Sequence, residues 1–156
     1  MTLKTSFFTA IPVALALSTA AFADETPAHP AYESLVAFND SFNENAVSHD
    51  IEGLVALYDE DAYWIAPDAL PAQGRDGVPR QTITFMATNK GDLTHTIDDL
   101  FISDDGTQAV MMGVTSAAVE SQGMAFEGTY IYVLERENDD DQWQVVVDMY
   151  NTHPAE

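Results

Sequence analysis

Apolar residues recur along this chain with two different periods, and the change from one to the other divides it. From about Ala31, the residues Tyr32, Leu35, Val36, Asn39 and Phe42 return every three or four positions, which predicts one stripe of an amphipathic helix. Ser48-His49-Asp50 interrupts the stripe. Asp50 is suited to cap a second, shorter helix whose apolar positions are Ile51, Leu54, Val55, Leu57 and Tyr58. Asp61 to Pro67 turns aromatic and β-branched, which reads as a strand, and a proline- and glycine-rich loop follows to Gly74. A third helix is predicted from about Arg75 to Asn89, with Pro79 in its first turn and Val78, Thr82, Phe85 and Met86 as its inner stripe. Asn89-Lys90-Gly91 closes it.

Beyond Gly91 the period is two. Leu93 to Ser103 alternates as one strand, with Asp98-Asp99 blurring its register. Asp104-Asp105-Gly106 signals a hairpin into a strand from Thr107 to Glu120, and Ser121-Gln122-Gly123 turns into another from Met124 to Glu135. Glu135 to Asp141 is a charged, solvated loop, and Gln142 to Thr152 is the last strand. Helices first and strands afterwards imply an α+β class: three N-terminal helices packed on the concave face of a curved antiparallel sheet. Such an arrangement leaves a partly lined cavity between its layers.

The N-terminus follows neither period. Lys4 precedes an apolar run from Phe7 to Leu17, and Ala20-Ala21-Phe22-Ala23 resembles a cleavage site. Thr9 and Pro12 break the run, which is shorter than the roughly 20 residues of a bilayer span. Residues 1–23 therefore read as a signal peptide, residues 24–30 as a flexible leader and residues 31–156 as one domain. A periplasmic or secreted location is expected, with no membrane association after cleavage. The chain has no cysteine, which excludes disulfides and thiolate chemistry.

Charge narrows the partners. Five basic against 26 acidic side chains give a net charge of −21. Such a surface repels phosphates, so nucleic-acid binding is excluded. Hydrophobic residues make up 46% of the chain, which argues for a packed core despite the charge.

Three segments carry a resemblance: His49 to Pro67 (HDIEGLVALYDEDAYWIAP), Gly74-Arg75-Asp76-Gly77-Val78, and Trp143 to Asn151 (WQVVVDMYN). In that order they resemble the nuclear transport factor 2-like superfamily, in its SnoaL-like, ketosteroid-isomerase-like branch, from about Tyr32 to Pro154. The resemblance implies a cone-shaped curved sheet with three helices. It does not imply one activity, since members include isomerases, cyclases, dehydratases, hydrolases and proteins without chemistry. In the isomerases an Asp before the first-strand proline moves the proton and a first-helix Tyr holds the oxyanion. Here those places hold Ala66 and Phe42, which can do neither.

The remaining candidates are few. Asp148, in the last strand, is read as sharing a face with Val146 and Tyr150, opposite Val145, Val147 and Met149. His95 could face Asp148 or Asn151 across the sheet, and a His–Asp pair would suit general-base catalysis. Tyr58, Trp64, Tyr130 and Asn151 are candidate ligand-binding residues, with Trp64 expected to line a pocket. Arg75 could pin a ligand carboxylate or pair with Asp61. His29, His49 and His153 lack metal-ligand spacing and Asp139-Asp140-Asp141 lacks a calcium-loop pattern, so neither a metal nor a cofactor is expected. The apolar surplus of the strand region predicts a homodimer. The two function classes are an unidentified-ligand pocket, catalytic through proton transfer or hydration, and a non-enzymatic interaction or binding module.

Overall fold

A computed structural model describes residues 29–139 and 141–153. The expected signal peptide and residues 24–28 of the leader lie outside the described residues. Among the described residues no helix is long and apolar enough to cross a membrane.

Helix α1 spans Tyr32–Ser48 and buries Leu35, Phe38, Asn39, Phe42 and Ala46. It ends at His49, whose left-handed conformation (φ 56°) turns the chain. Asp50 then caps α2, Ile51–Ala56, by accepting the Gly53 amide on Oδ1 at 3.0 Å, as the sequence predicts. Strand β1 runs Tyr58–Ile65 and starts earlier than the aromatic run suggests. Pairing with the last strand recruits Tyr58 from the predicted helix, and the Val145 amide donates to the Leu57 carbonyl at 2.8 Å.

A two-residue strand β2, Ala72–Gln73, pairs with β1. Helix α3, Val78–Thr88, begins after Gly77 with Pro79 in its first turn. Its inner stripe is Pro79, Ile83 and Met86, whereas Val78 and Phe85 are exposed. Two stripes about 100° apart compete on this helix, and packing against α2 selects the one that leaves Phe85 outward.

The expected strand from Leu93 to Ser103 is two strands, β3 (Asp92–His95) and β4 (Asp99–Ile102). Both pair with β5, Gln108–Val119, and the bend at Thr96–Asp98 keeps hydrogen bonds to Val114 and Met112. Gly113 permits the bend, since a Cβ there would lie 2.0 Å from the Thr96 carbonyl oxygen. Strand β6, Met124–Glu135, and β7, Gln144–Tyr150, complete a seven-stranded sheet of order β2-β1-β7-β6-β5-β3, with β4 also on β5.

The sheet is mixed rather than wholly antiparallel, because β1 and β7 pair in parallel with Trp64 beside Asp148. A second departure lies in β7. Leu134 faces Val145 while Val133 faces Val147, so a bulge absorbs one residue. Val145 and Asp148 are consequently both buried on the concave face, not opposed as strict alternation would have them. The core fills the space between this face and α1 and α2.

Candidate active site

Between α3 and the concave face the packing is incomplete. A cavity of about 180 Å³ remains there, with Phe42 of α1 in its wall. Tyr58, Tyr130 and Tyr132 make its deep end and are almost fully buried. Phe85, Phe126 and Tyr150 are more exposed and mark its rim. An apolar cavity of roughly 150 Å³ accommodates a benzene-sized molecule, so this one suits a ligand slightly larger than one aromatic ring.

Asp148 is the acid of this cavity. It is 4% exposed, and burial among apolar and phenolic groups disfavours its charged form, pushing its carboxyl up to about 7 against a hydrogen bond from Tyr58 that works in the other direction. The Tyr58 hydroxyl donates to Asp148 Oδ2 at 2.9 Å. Having given its one proton there, Tyr58 must accept from Tyr132, whose hydroxyl lies 3.2 Å away. Burial and the neighbouring carboxylate hold both phenols well above their ordinary range, so they remain neutral donors. Among the described residues no donor reaches Asp148 Oδ1, and that oxygen stays accessible from the cavity. A carboxyl of this kind can take a proton from a bound molecule or give one to it near neutral pH.

His95 lines the same cavity by different means. Its ring stacks on Phe42 at 4.1 Å between centroids and on Tyr130 at 4.3 Å, with interplanar angles of 9° and 16°. Burial pushes the imidazole down to about 3, so it is neutral. Nδ1 has no hydrogen-bond partner among the described residues. What fixes this residue is its backbone: Asn43 of α1 accepts the His95 amide at 2.8 Å and donates to its carbonyl at 2.9 Å, continuing the ladder at the free edge of β3. The two candidate acid–base residues therefore share one cavity, and no hydrogen bond joins them.

The other predicted residues divide. Tyr58, Trp64 and Tyr130 line the cavity, and Trp64 meets Tyr150 nearly edge-on at 5.8 Å and 77°. Tyr130 is turned by its hydroxyl, which donates to the Thr96 carbonyl at 2.7 Å. Arg75 and Asn151 are not in the lining. The Arg75 guanidinium donates to the Tyr58 carbonyl at 2.9 Å rather than to Asp61, holding the start of β1. Asn151 accepts the Thr129 amide at 2.9 Å and tethers the end of β7 to β6. Sequence reasoning missed Tyr132 and Tyr150 as site residues, although each shares a face with a residue it did select. It also missed Asn43, for which one asparagine on a helix gives no signal. Among the described residues no group of three His, Cys, Asp or Glu side chains is arranged to hold a metal ion.

The family model of the SnoaL-like domain matches residues 35–145. Among solved structures, the chain is similar to a nuclear transport factor 2-like protein of unknown function from Shewanella oneidensis, at 17% identity and a TM-score of 0.59, over 76% of this chain and 97% of that one. It is similar to a domain of unknown function with a cystatin-like fold from Nostoc punctiforme, at 18% identity and a TM-score of 0.62, over 81% and 80%. A ketosteroid isomerase-like protein from Erwinia carotovora atroseptica matches at 16% identity and a TM-score of 0.54, over 79% and 93%. At these identities the likeness is one of fold. No curated protein matches the chain.

Proposed function

Because the chain belongs to the SnoaL-like domain family, whose fold hosts many chemistries and several purely binding members, we propose that it is a small-molecule-pocket protein whose one acid–base group is Asp148. The observation that carries this reading is a buried carboxyl with one open oxygen at the wall of an apolar cavity just larger than a benzene ring. Ketosteroid-type isomerisation is not the reaction, since Ala66 and Phe42 stand where its acid–base and oxyanion groups would be. Cofactor-independent proton transfer or hydration, with Asp148 exchanging the proton, is the chemistry open to the site. His95 supplies a flat, neutral wall. A thermal-shift panel of soluble one-ring and branched-chain probes, neutral and cationic, tests the pocket. Binding at a hundred times Kd raises stability by about 2.7 kcal/mol, and a panel in which nothing raises the melting temperature sinks the reading.

Two further features complete the proposal. The export segment ending at Ala23 delivers the domain to the periplasm or medium, so the recovered protein should begin at Asp24 by intact mass. A retained Met1 in a membrane fraction would contradict it. The outer face of the sheet supports a homodimer: Phe101, Val110, Val133, Val147 and Tyr63 stand in register as one apolar row across β4, β5, β6, β7 and β1. Phe101 is 59% exposed and Tyr63 45%. Light scattering should give twice the mass of one chain, and Phe101→Asp should return it to one. A wild-type protein of one-chain mass at micromolar concentration would remove the dimer.

A further inference from the structure

The cavity wall has an unusual chemical inventory. Trp64, Tyr58, Tyr132 and Tyr150 are electron-rich rings, and they meet at corners: Trp64 crosses Tyr150 at 77°, and Tyr58 crosses Tyr132 at 77°. All four rings are in the cavity wall, and aromatic π-electron density at the wall attracts a positive charge. No lysine or arginine is in the lining.

Three of the tyrosine hydroxyl protons in the lining are already committed. Tyr58 gives its proton to Asp148, Tyr132 gives its proton to Tyr58, and Tyr130 gives its proton to the Thr96 carbonyl. With Asp148 ionised, these tyrosines offer the occupant lone pairs and ring electrons but no donors. A carboxylate or phosphate ligand would find no cationic side chain to hold it. Asp148, for its part, is a buried carboxyl that no described cation pairs, and an unpaired buried charge is strongly unfavourable until a partner arrives. The whole chain, at −21, draws cations toward it.

Resting on the pocket reading above, we propose that the occupant of this cavity is a monovalent organic cation of the alkylammonium type, lying against the wall that Trp64, Tyr58, Tyr132 and Tyr150 form, with Asp148 as its counter-ion. The cavity volume sets the size: a branched or methylated ammonium head, or one carrying a single ring. Such a ligand changes the protonation of the site. Around Asp148 the titratable neighbours are Tyr58 on β1, Tyr130 and Tyr132 on β6, Tyr150 on β7 and His95 on β3, and neither α1 nor α3 adds a charged side chain to the lining. The phenols and the imidazole are neutral near pH 6.5, so the proton displaced on binding comes from Asp148. A neutral ligand that accepts a hydrogen bond has the opposite effect, since it needs Asp148 protonated.

Choline and its uncharged carbon isostere 3,3-dimethylbutan-1-ol separate the two cases, because they differ in charge and hardly in shape. Titration calorimetry of the full mature protein at pH 6.5, in buffers of different ionisation enthalpy, should show choline binding roughly tenfold or more tightly than the alcohol. It should also show choline releasing up to one proton per molecule bound. Asp148→Asn, which copies the neutral carboxyl and leaves the fold in place, should lose that preference and the proton release while binding the alcohol within about threefold of wild type. Equal or tighter binding of the alcohol by the wild type overturns the proposal. So does proton uptake on ligand binding, or a thermal-shift panel in which only neutral probes bind, and in both cases the pocket reading survives. A panel with no hit at all removes that reading instead.

Discussion

The two walls of the cavity bury one ionisable group each and treat it in opposite ways. On the β3 side, His95 is pressed between Phe42 and Tyr130, held by its backbone and left without a partner for Nδ1. On the β7 side, Asp148 is fed by a two-tyrosine chain on one oxygen and open to the cavity on the other. Burial neutralises both near pH 6, yet it removes the charge of a base in one case and of an acid in the other. A neutral imidazole stacked between two rings presents mainly a flat face, with its buried Nδ1 unpartnered. A neutral carboxyl with an accessible oxygen still donates, and it ionises near pH 7. Shared location therefore does not make these residues a catalytic pair, and the difference lies in what each wall packs around the polar atoms.

The largest test of this contrast is the dependence of stability on pH. The folded-state value of Asp148 is raised from 3.8 to about 7, so between those values the folded protein keeps a proton the unfolded chain has lost, and stability falls as pH rises. The folded-state value of His95 is lowered from 6.5 to about 3, so there the unfolded chain holds the extra proton, and stability rises with pH. From about pH 4 to 6.5 the two slopes oppose one another. Asp148→Asn should expose the rising slope, and His95→Phe the falling one, each departing from wild type by about 3 kcal/mol across the window. Urea denaturation at several pH values reads this directly. Parallel profiles for wild type and both variants would mean that neither group is buried as described.

How much of this was legible in the sequence varies with the kind of signal. The helices, the hairpins and the Asp50 cap follow from local period and local chemistry, and they stand where expected. The alternation of Asp148 and Tyr150 against Val147 and Met149 held, but the bulge at Val146 puts Val145 on the face of Asp148, and nothing in a run of valines marks it. Tyr58 moved from helix to strand for a similar reason, since its pairing partner Val145 lies 87 residues away in the chain. Arg75 and Asn151 looked like ligand contacts because a lone arginine or asparagine near a motif always does. Backbone carbonyls and amides, which sequence does not display as partners, had already claimed them.

Trp64 tests the same contrast at its ring wall. It is 9% exposed, lies against Tyr58 and Tyr150, and faces the cavity. Trp64→Ala should weaken ligand binding by about 1–3 kcal/mol, read by fluorescence or calorimetry in a Trp143→Phe background that silences the other indole. If the variant instead unfolds, losing the roughly 3–5 kcal/mol of an emptied core site, Trp64 is a core residue and the wall is not a binding surface. On the opposite wall, Asn43→Ala strips the His95 amide of its acceptor while Asn39 still reaches the carbonyl at 3.3 Å. The expected loss is about 1–2 kcal/mol of stability, with the midpoint of Asp148 titration unmoved. A shift in that midpoint would show that the walls are coupled.

The smallest effect is the most specific. Tyr58→Phe removes one oxygen from the Asp148 wall and changes neither ring packing nor the His95 stack. The lost bond donated to Asp148 Oδ2 at 2.9 Å and favoured the charged carboxylate against the effect of burial. Without it the carboxyl should titrate above its present value of about 7, and the falling limb of stability should extend to correspondingly higher pH. Stability itself should drop by about 1–2 kcal/mol, because buried Asp148 loses a donor and Tyr132 loses its acceptor. Carbon-13 NMR of the Asp148 carboxyl follows the titration, and the His95 ring resonances serve as the internal control. A midpoint that stays fixed would mean that the tyrosine chain does not feed Asp148. A downward shift would mean that Tyr58 had been stabilising the protonated form. In either case Asp148 would be no more than a second buried neutral group, and the distinction between the two walls would disappear.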